Sequence, residues 1–153
     1  MSNDQFMSQQ KFQALQEELQ RRKTEGRKEI AHQLEVAKQQ GDLSENFEYH
    51  DAKERQGENE MRVLQLEAML SDAKIVEEQH GGNTVEMGVT FTAEKNGEDM
   101  TFQIVGSHDA NPMERKISNE SPLGQAFLGA KVGQTVKVNT PSGEVSYTVK
   151  SIH

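Results

Sequence analysis

Two carboxylates three residues apart, Asp42 and Glu45, stand in the run Gly41-Asp42-Leu43-Ser44-Glu45-Asn46. Carboxylate oxygens suit magnesium, which takes hard ligands at about 2.0–2.1 Å and keeps several of its waters. A spacing of three across a tight turn can place both groups on one side of a tip. Two carboxylates alone make a weak magnesium site, useful only beside an ion that another molecule already holds in part. The same acids have a second possible use, since carboxylates near a helix N-terminus are favoured by the helix dipole. Ser44 can cap a helix, and Asn46 and Tyr49 could position water, a base or the backbone of the turn, or act simply as loop hydrogen-bonders. The five histidines, His32, His50, His80, His108 and His153, have no metal-like spacing to one another.

Helices must flank this turn. From about Met7 to Val76 the chain has no proline and is rich in Glu, Gln, Lys, Arg, Leu and Ala, the good helix formers. Apolar positions recur near the coiled-coil period at Phe12, Leu15, Leu19, Gly26, Ile30, Leu34 and Ala37. A second series runs Met61, Leu64 and Ala68, widened by Leu66, Leu70 and Ala73. The 26-30-34 spacing departs from a strict heptad, as a stutter would, and the polar Arg22 on the seam predicts loose packing there. Gly41 can take the left-handed conformation that ends a helix, and Asp42 or Ser44 can cap the next one. The expectation is two long antiparallel helices, each about 50 Å long, joined at this turn, with one unbroken helix through the whole stretch as the main competitor.

The pattern changes after Gln79. His80-Gly81-Gly82-Asn83 reads as a linker, followed by β-branched, period-2 segments at 85–93, 99–105, 135–139 and 145–152. Asn96-Gly97 and Pro141-Ser142-Gly143 are hairpin turns, and Ser121-Pro122 opens a short helix through Phe127 and Leu128. The fold class is therefore α+β, with a helical hairpin over 1–79 and a small α+β domain over 80–153.

Composition narrows the function. Only 33% of the 153 residues are apolar, against about 45–50% in a typical globular chain. Such a chain needs an elongated element or a disordered region. The formal charge of −8 argues against coating nucleic acid in bulk, which relies on Lys and Arg. The absence of cysteine excludes disulfides and thiolate chemistry. Met1-Ser2-Asn3-Asp4-Gln5 lacks the parts of a signal peptide, and no apolar run approaches the ~20 residues of a membrane span. A cytoplasmic protein without a membrane partner is expected.

The run from Gly41 through Glu54, including Phe47-Glu48-Tyr49-His50-Asp51-Ala52-Lys53, closely resembles the tip signature of the GreA-type transcript cleavage factors. Lys116-Ile117-Ser118, Ser121-Pro122-Leu123-Gly124, Leu128-Gly129-Ala130-Lys131-Val132-Gly133 and Thr140-Pro141-Ser142-Gly143-Glu144 resemble that family's C-terminal domain. The resemblance covers nearly the whole chain. It implies an N-terminal coiled-coil hairpin and a globular domain similar to the FK506-binding proteins. It further implies a monomer that binds bacterial RNA polymerase, with the globular domain at the rim of the secondary channel and the hairpin reaching into the active centre. There the tip helps the polymerase cleave backtracked nascent RNA near its 3′ end, so the chain itself is no enzyme. On this resemblance Asp42 and Glu45 are the catalytic acids and hold Mg²⁺ jointly with the polymerase. Ser44, Asn46 and Tyr49 support the tip, Lys53 and Arg55 reach RNA phosphates, and Ser121, Pro122 and Leu123 dock on polymerase.

The match departs in places. Lys28 stands where the family usually has proline, which would leave the shaft straighter. Phe47 replaces a small residue, Arg55 replaces an acid or glutamine, and the segment around Gly81-Gly82 is short. Arg21, Arg22, Lys23, Arg27 and Lys28 form a second basic stretch, either a solvated face paired with Glu25 and Glu29 or a contact for RNA or the channel. The nearest rival reading is a related channel-binding inhibitor with a changed tip. A prolyl isomerase would want an aromatic-lined pocket, for which the C-terminal half offers only Phe91, Phe102, Phe127 and Tyr147. A plain coiled-coil adaptor would have no need of an acidic turn.

Overall fold

The computed structural model describes residues 4–42 and 46–153. The chain is mixed α+β and divides into two compact units. One is Phe12–Asp72, and the other joins Met1–Lys11 to Ala73–His153.

In the helical unit, α1 (Gln9–Arg21) runs through a π turn at Arg22–Gly26 into α2 (Arg27–Lys38), and α3 (Phe47–Ser71) returns beside it. Cross-pairs Glu18 with Arg62, Arg27 with Glu60 and Ala37 with Asn46 show that the helices are antiparallel. The α3 seam is Ala52, Gln56, Asn59, Val63, Leu66 and Leu70, a strict alternation of four and three. This corrects the series expected there, since Met61 and Leu64 are 64% and 67% exposed. The true seam was hidden because two of its members, Gln56 and Asn59, are polar. On the first arm of the pair, α1 and α2, Leu15, Leu34 and Ala37 are buried as expected. The stutter is realised as the π turn, which interrupts the regular helix just before Lys28.

In the second unit, five strands order as β5-β4-β3-β7-β6. They are β3 (Thr90–Lys95), β4 (Glu98–Val105), β5 (Lys116–Ser118), β6 (Thr135–Thr140) and β7 (Gly143–Ile152). All neighbours are antiparallel except β4 with β5. The turns are where the sequence puts them: Asn96 and Gly97 both have positive φ, as a two-residue turn with right-handed strand twist requires. A short helix, α4 (Pro122–Phe127), lays Phe127 on the sheet. Phe91, Phe102, Phe127 and Tyr147 pack ring against ring, with centroids 4.8 to 6.1 Å apart. These rings are the centre of the core, so the aromatics that might have lined an isomerase pocket fill it instead.

Two expectations for this unit change. The strand foreseen over 85–93 starts only at Thr90, because Gly88 turns at φ +85° and Val85 bonds to Ala130. The boundary and linker foreseen at 79–83 lie inside the unit: Gln79 N–H donates to Gly88 O at 3.0 Å and Gly81 N–H to His153 O at 2.6 Å. The chain's beginning belongs here as well. Strand β1 (Gln5–Met7) pairs in parallel with β2 (Ala73–Ile75), and Met7 is fully buried. Ser8 donates to the Asp109 carboxylate through both N–H (2.8 Å) and Oγ (2.7 Å). Gly106 is obligatory beside this strand, since a Cβ there would stand 1.9 Å from Phe6 O. Three-residue strands carry too little periodicity to read, and their pairing partners are nearly seventy residues apart.

Candidate functional site

The turn between α2 and α3 is built by local chemistry. Gln39 and Gln40 N–H groups close the last turn of α2 on Val36 and Ala37, and Gly41 follows at φ +121°. Asp42 comes next and is exposed. Leu43, Ser44 and Glu45 lie outside the described residues, so the catalytic role foreseen for Glu45 and the support foreseen for Ser44 fall there.

Asn46 is the residue that ties the turn. Its Oδ1 accepts from Tyr49 N–H at 3.0 Å, making it the N-cap of α3 in place of the expected Asp42 or Ser44. Its Nδ2 donates to Ala37 O at 2.6 Å, a second donor for a carbonyl at the end of α2 that Gln40 N–H also reaches. One side chain thus fastens the start of one helix to the end of the other. The Tyr49 ring stands edge-on to His50, with centroids 5.7 Å apart. Phe47, the first residue of α3, is 86% exposed.

The proposed RNA-contacting residues differ in freedom. Lys53 is exposed and, among the described residues, donates to Gln56 Oε1 at 3.4 Å. Arg55 forms an ion pair with Asp51 at 3.0 Å, one helical turn back. In the other unit, Ser121 caps α4 by accepting from Gly124 N–H at 3.0 Å while donating to Ser118 O at 2.7 Å. Pro122 is exposed and Leu123 half-buried against the core. Among the described residues no group of three or more His, Cys, Asp or Glu could hold a metal ion. By chemistry alone, an aspartate and a glutamate would suit magnesium only as a partial ligand set completed by another molecule.

Within the basic stretch Lys23 and Arg27 pair across to α3, and Arg22 pairs with Glu18 on its own helix. Arg27 grips Glu60 with two hydrogen bonds of 2.8 and 3.0 Å, and Lys23 lies 3.4 Å from Glu67. Glu18 accepts from Arg22 Nε (2.7 Å) and from Arg62 Nε and Nη2 (both 2.9 Å). The Arg62 hydrogen bonds do most to hold the Glu18 carboxyl down at about 2, with Arg22 adding to them against the opposing effect of burial. Glu18, Asn59, Glu60 and Arg62 were not foreseen. Their signal was available only as acid and base types on two segments whose register the sequence did not give.

A helical pair with an acid-bearing turn, joined to a small α+β unit, is the class of protein that fold and site define. The family described as "Transcription elongation factor, N-terminal" matches residues 5–75, and "Transcription elongation factor, GreA/GreB, C-term" matches residues 79–153. The chain belongs to the GreA/GreB family of transcription elongation factors. Transcription elongation factor GreA of Bacillus subtilis is 45% identical over 142 residues, covering 92% of this chain and 90% of that one. GreA of a Roseiflexus species is 45% identical over 141 residues, covering 90% of each. Among solved structures, GreA factor homolog 1 of Thermus thermophilus is 29% identical, covers 99% of each chain and has a TM-score of 0.44. Among the described residues no helix is long and apolar enough to cross a membrane.

Proposed function

We propose that this elongation factor binds bacterial RNA polymerase in its secondary channel and stimulates the polymerase's own cleavage of backtracked nascent RNA. The observation that carries this reading is the acidic turn fastened at the end of a helical pair by Asn46, in a member of the GreA/GreB family. A carboxylate must be held in place to help in a site that is not its own, and the two hydrogen bonds of Asn46 tie the start of α3 to the end of α2.

In the complex, Asp42 and Glu45 would hold Mg²⁺ jointly with polymerase carboxylates. When bound there, the ion supplies Lewis-acid stabilisation and an activated water for phosphodiester hydrolysis. The chain's own residues position and do not react. Asn46 and Tyr49 hold the turn, with Ser44 assigned to the same task. Lys53 is free to neutralise an RNA phosphate near the 3′ end, whereas Arg55 must first leave Asp51 to do so. Ser121, Pro122 and Leu123 form the docking segment at the channel rim. The factor works as a monomer in the cytoplasm, and the catalyst is the polymerase.

The deciding experiment is RNA cleavage by a purified, backtracked polymerase complex with Mg²⁺. Wild type should speed release of short 3′ fragments, and the Asp42→Asn, Glu45→Gln double variant should bind without doing so. Wild type that binds without accelerating cleavage would make the protein a channel-occupying inhibitor, the reading that the bulky exposed Phe47 favours.

A further inference from the structure

The helical unit contains one residue too many, and the structure shows where it goes. Ala37 lies twenty-two residues after Leu15, and both are buried on the same seam. Three heptads span twenty-one. An unbroken α-helix would therefore put either its first half or its second half out of phase with α3, by one residue or about 100°. The π turn at Arg22–Gly26 absorbs the surplus: Arg27 N–H bonds to Arg22 O, five residues back.

Asn59 of α3 faces that turn and is 7% exposed, a polar residue buried in the seam. Its Nδ2 donates to Arg22 O at 3.2 Å, and its Oδ1 accepts from Arg22 Nη1 at 3.1 Å. Arg22 is held in turn by Glu18, which Arg62 of α3 also grips. Gly26 lies against the same amide, where a Cβ would stand in ordinary contact at 3.4 Å from Asn59 Oδ1. Apolar seams tolerate slippage, whereas a single buried Asn fixes register, since every other register leaves its amide unpaired.

We propose that Asn59 is a positioning residue that locks the π turn and so sets the phase of the helical pair. Leu15, Val63 and Leu66 on one side of it, and Leu34, Ala37 and Ala52 on the other, are then packed at the same time. The acidic turn is thereby presented in one orientation. Only this last consequence rests on the cleavage reading.

The test is a cycle of Asn59→Val and deletion of Thr24, an exposed residue inside the π turn. Because valine adds an apolar contact to the seam, melting temperature is not the deciding readout. Spin labels are placed on cysteines introduced at Lys38 and Glu48, in a chain that has no cysteine of its own. Wild type should give one narrow distance, Asn59→Val two populations or a broad one, and the combined variant one narrow distance again. Cleavage at saturating factor should fall about tenfold or more in Asn59→Val with polymerase affinity unchanged, and recover in the combined variant. A narrow, unshifted distance in Asn59→Val overturns the assignment, and so does broadening that the deletion leaves in place. If wild type fails to stimulate cleavage, the cleavage reading falls and the distances alone decide the register.

Discussion

The two units of this chain are held by different physics. The α+β unit has an aromatic centre in which Phe91 and Phe127 are fully buried and every member of the core cluster is apolar or Tyr. The helical unit buries few large side chains, and midway its seam passes through Arg22, Gly26 and Asn59. Area is non-directional and gives stability, whereas hydrogen-bonded charges give little net stability and much geometry. On the proposed function the helical unit presents a turn at one position, which needs fixed phase, and directional contacts supply it.

The largest expected effect belongs to the aromatic core. Phe127→Ala should destabilise the α+β unit by about 3–5 kcal/mol, read as lost amide-exchange protection across the sheet strands. A much smaller loss would mean that the two units are held more alike than their cores indicate. Next comes the turn, where Asn46→Ala removes a cap and the bond to Ala37 together. About 1–2 kcal/mol should go from the ends of α2 and α3, seen as faster exchange at Tyr49 and neighbouring amides while the sheet is unchanged.

Electrostatics should separate the units more finely. The Glu18 carboxyl lies at about 2 in the folded chain against an ordinary 4.5. A depressed carboxylate contributes stability that is fully present above its unfolded value and is lost as pH falls through the folded one. The helical unit should therefore weaken between about pH 5 and pH 2, and Glu18→Gln should abolish that part of the pH dependence. Solvent reaches this pair, so the effect near neutrality is about 1 kcal/mol, and salt should reduce it. Helical circular dichroism against pH for the two proteins checks this, and equal acid curves would remove the distinction. The smallest effect is at Phe47, 86% exposed, where alanine should change stability by less than about 0.5 kcal/mol. Any change in cleavage from Phe47→Ala would then report on fit in the complex and not on folding.

Much was legible in the residues. Composition and period gave the two-part α+β plan, Gly41 gave the end of α2, and Asn96-Gly97 and Ser121-Pro122 gave turn and cap where the structure has them. The stutter was also visible, because spacing along one helix is a one-dimensional property. The seam of α3 was misplaced, since a search for apolar residues passes over Gln56 and Asn59 and settles on the exposed Met61 and Leu64.

What the sequence determined alone is whatever depends on neighbours in the chain: helix propensity, turn conformation, the acids at the tip and the family pattern around them. Tertiary structure decided what depends on distant partners. It chose Asn46 as the cap, because Ala37 O is also within its reach. It gave Glu18 two guanidiniums from two helices, and it placed Gln5–Met7 beside Ala73–Ile75 within the α+β unit. The physical reason is common to all three. Each depends on a contact between different helices or strands (Asn46 with Ala37, Glu18 with Arg62, Gln5–Met7 with Ala73–Ile75), and only the packed fold determines which of these meet.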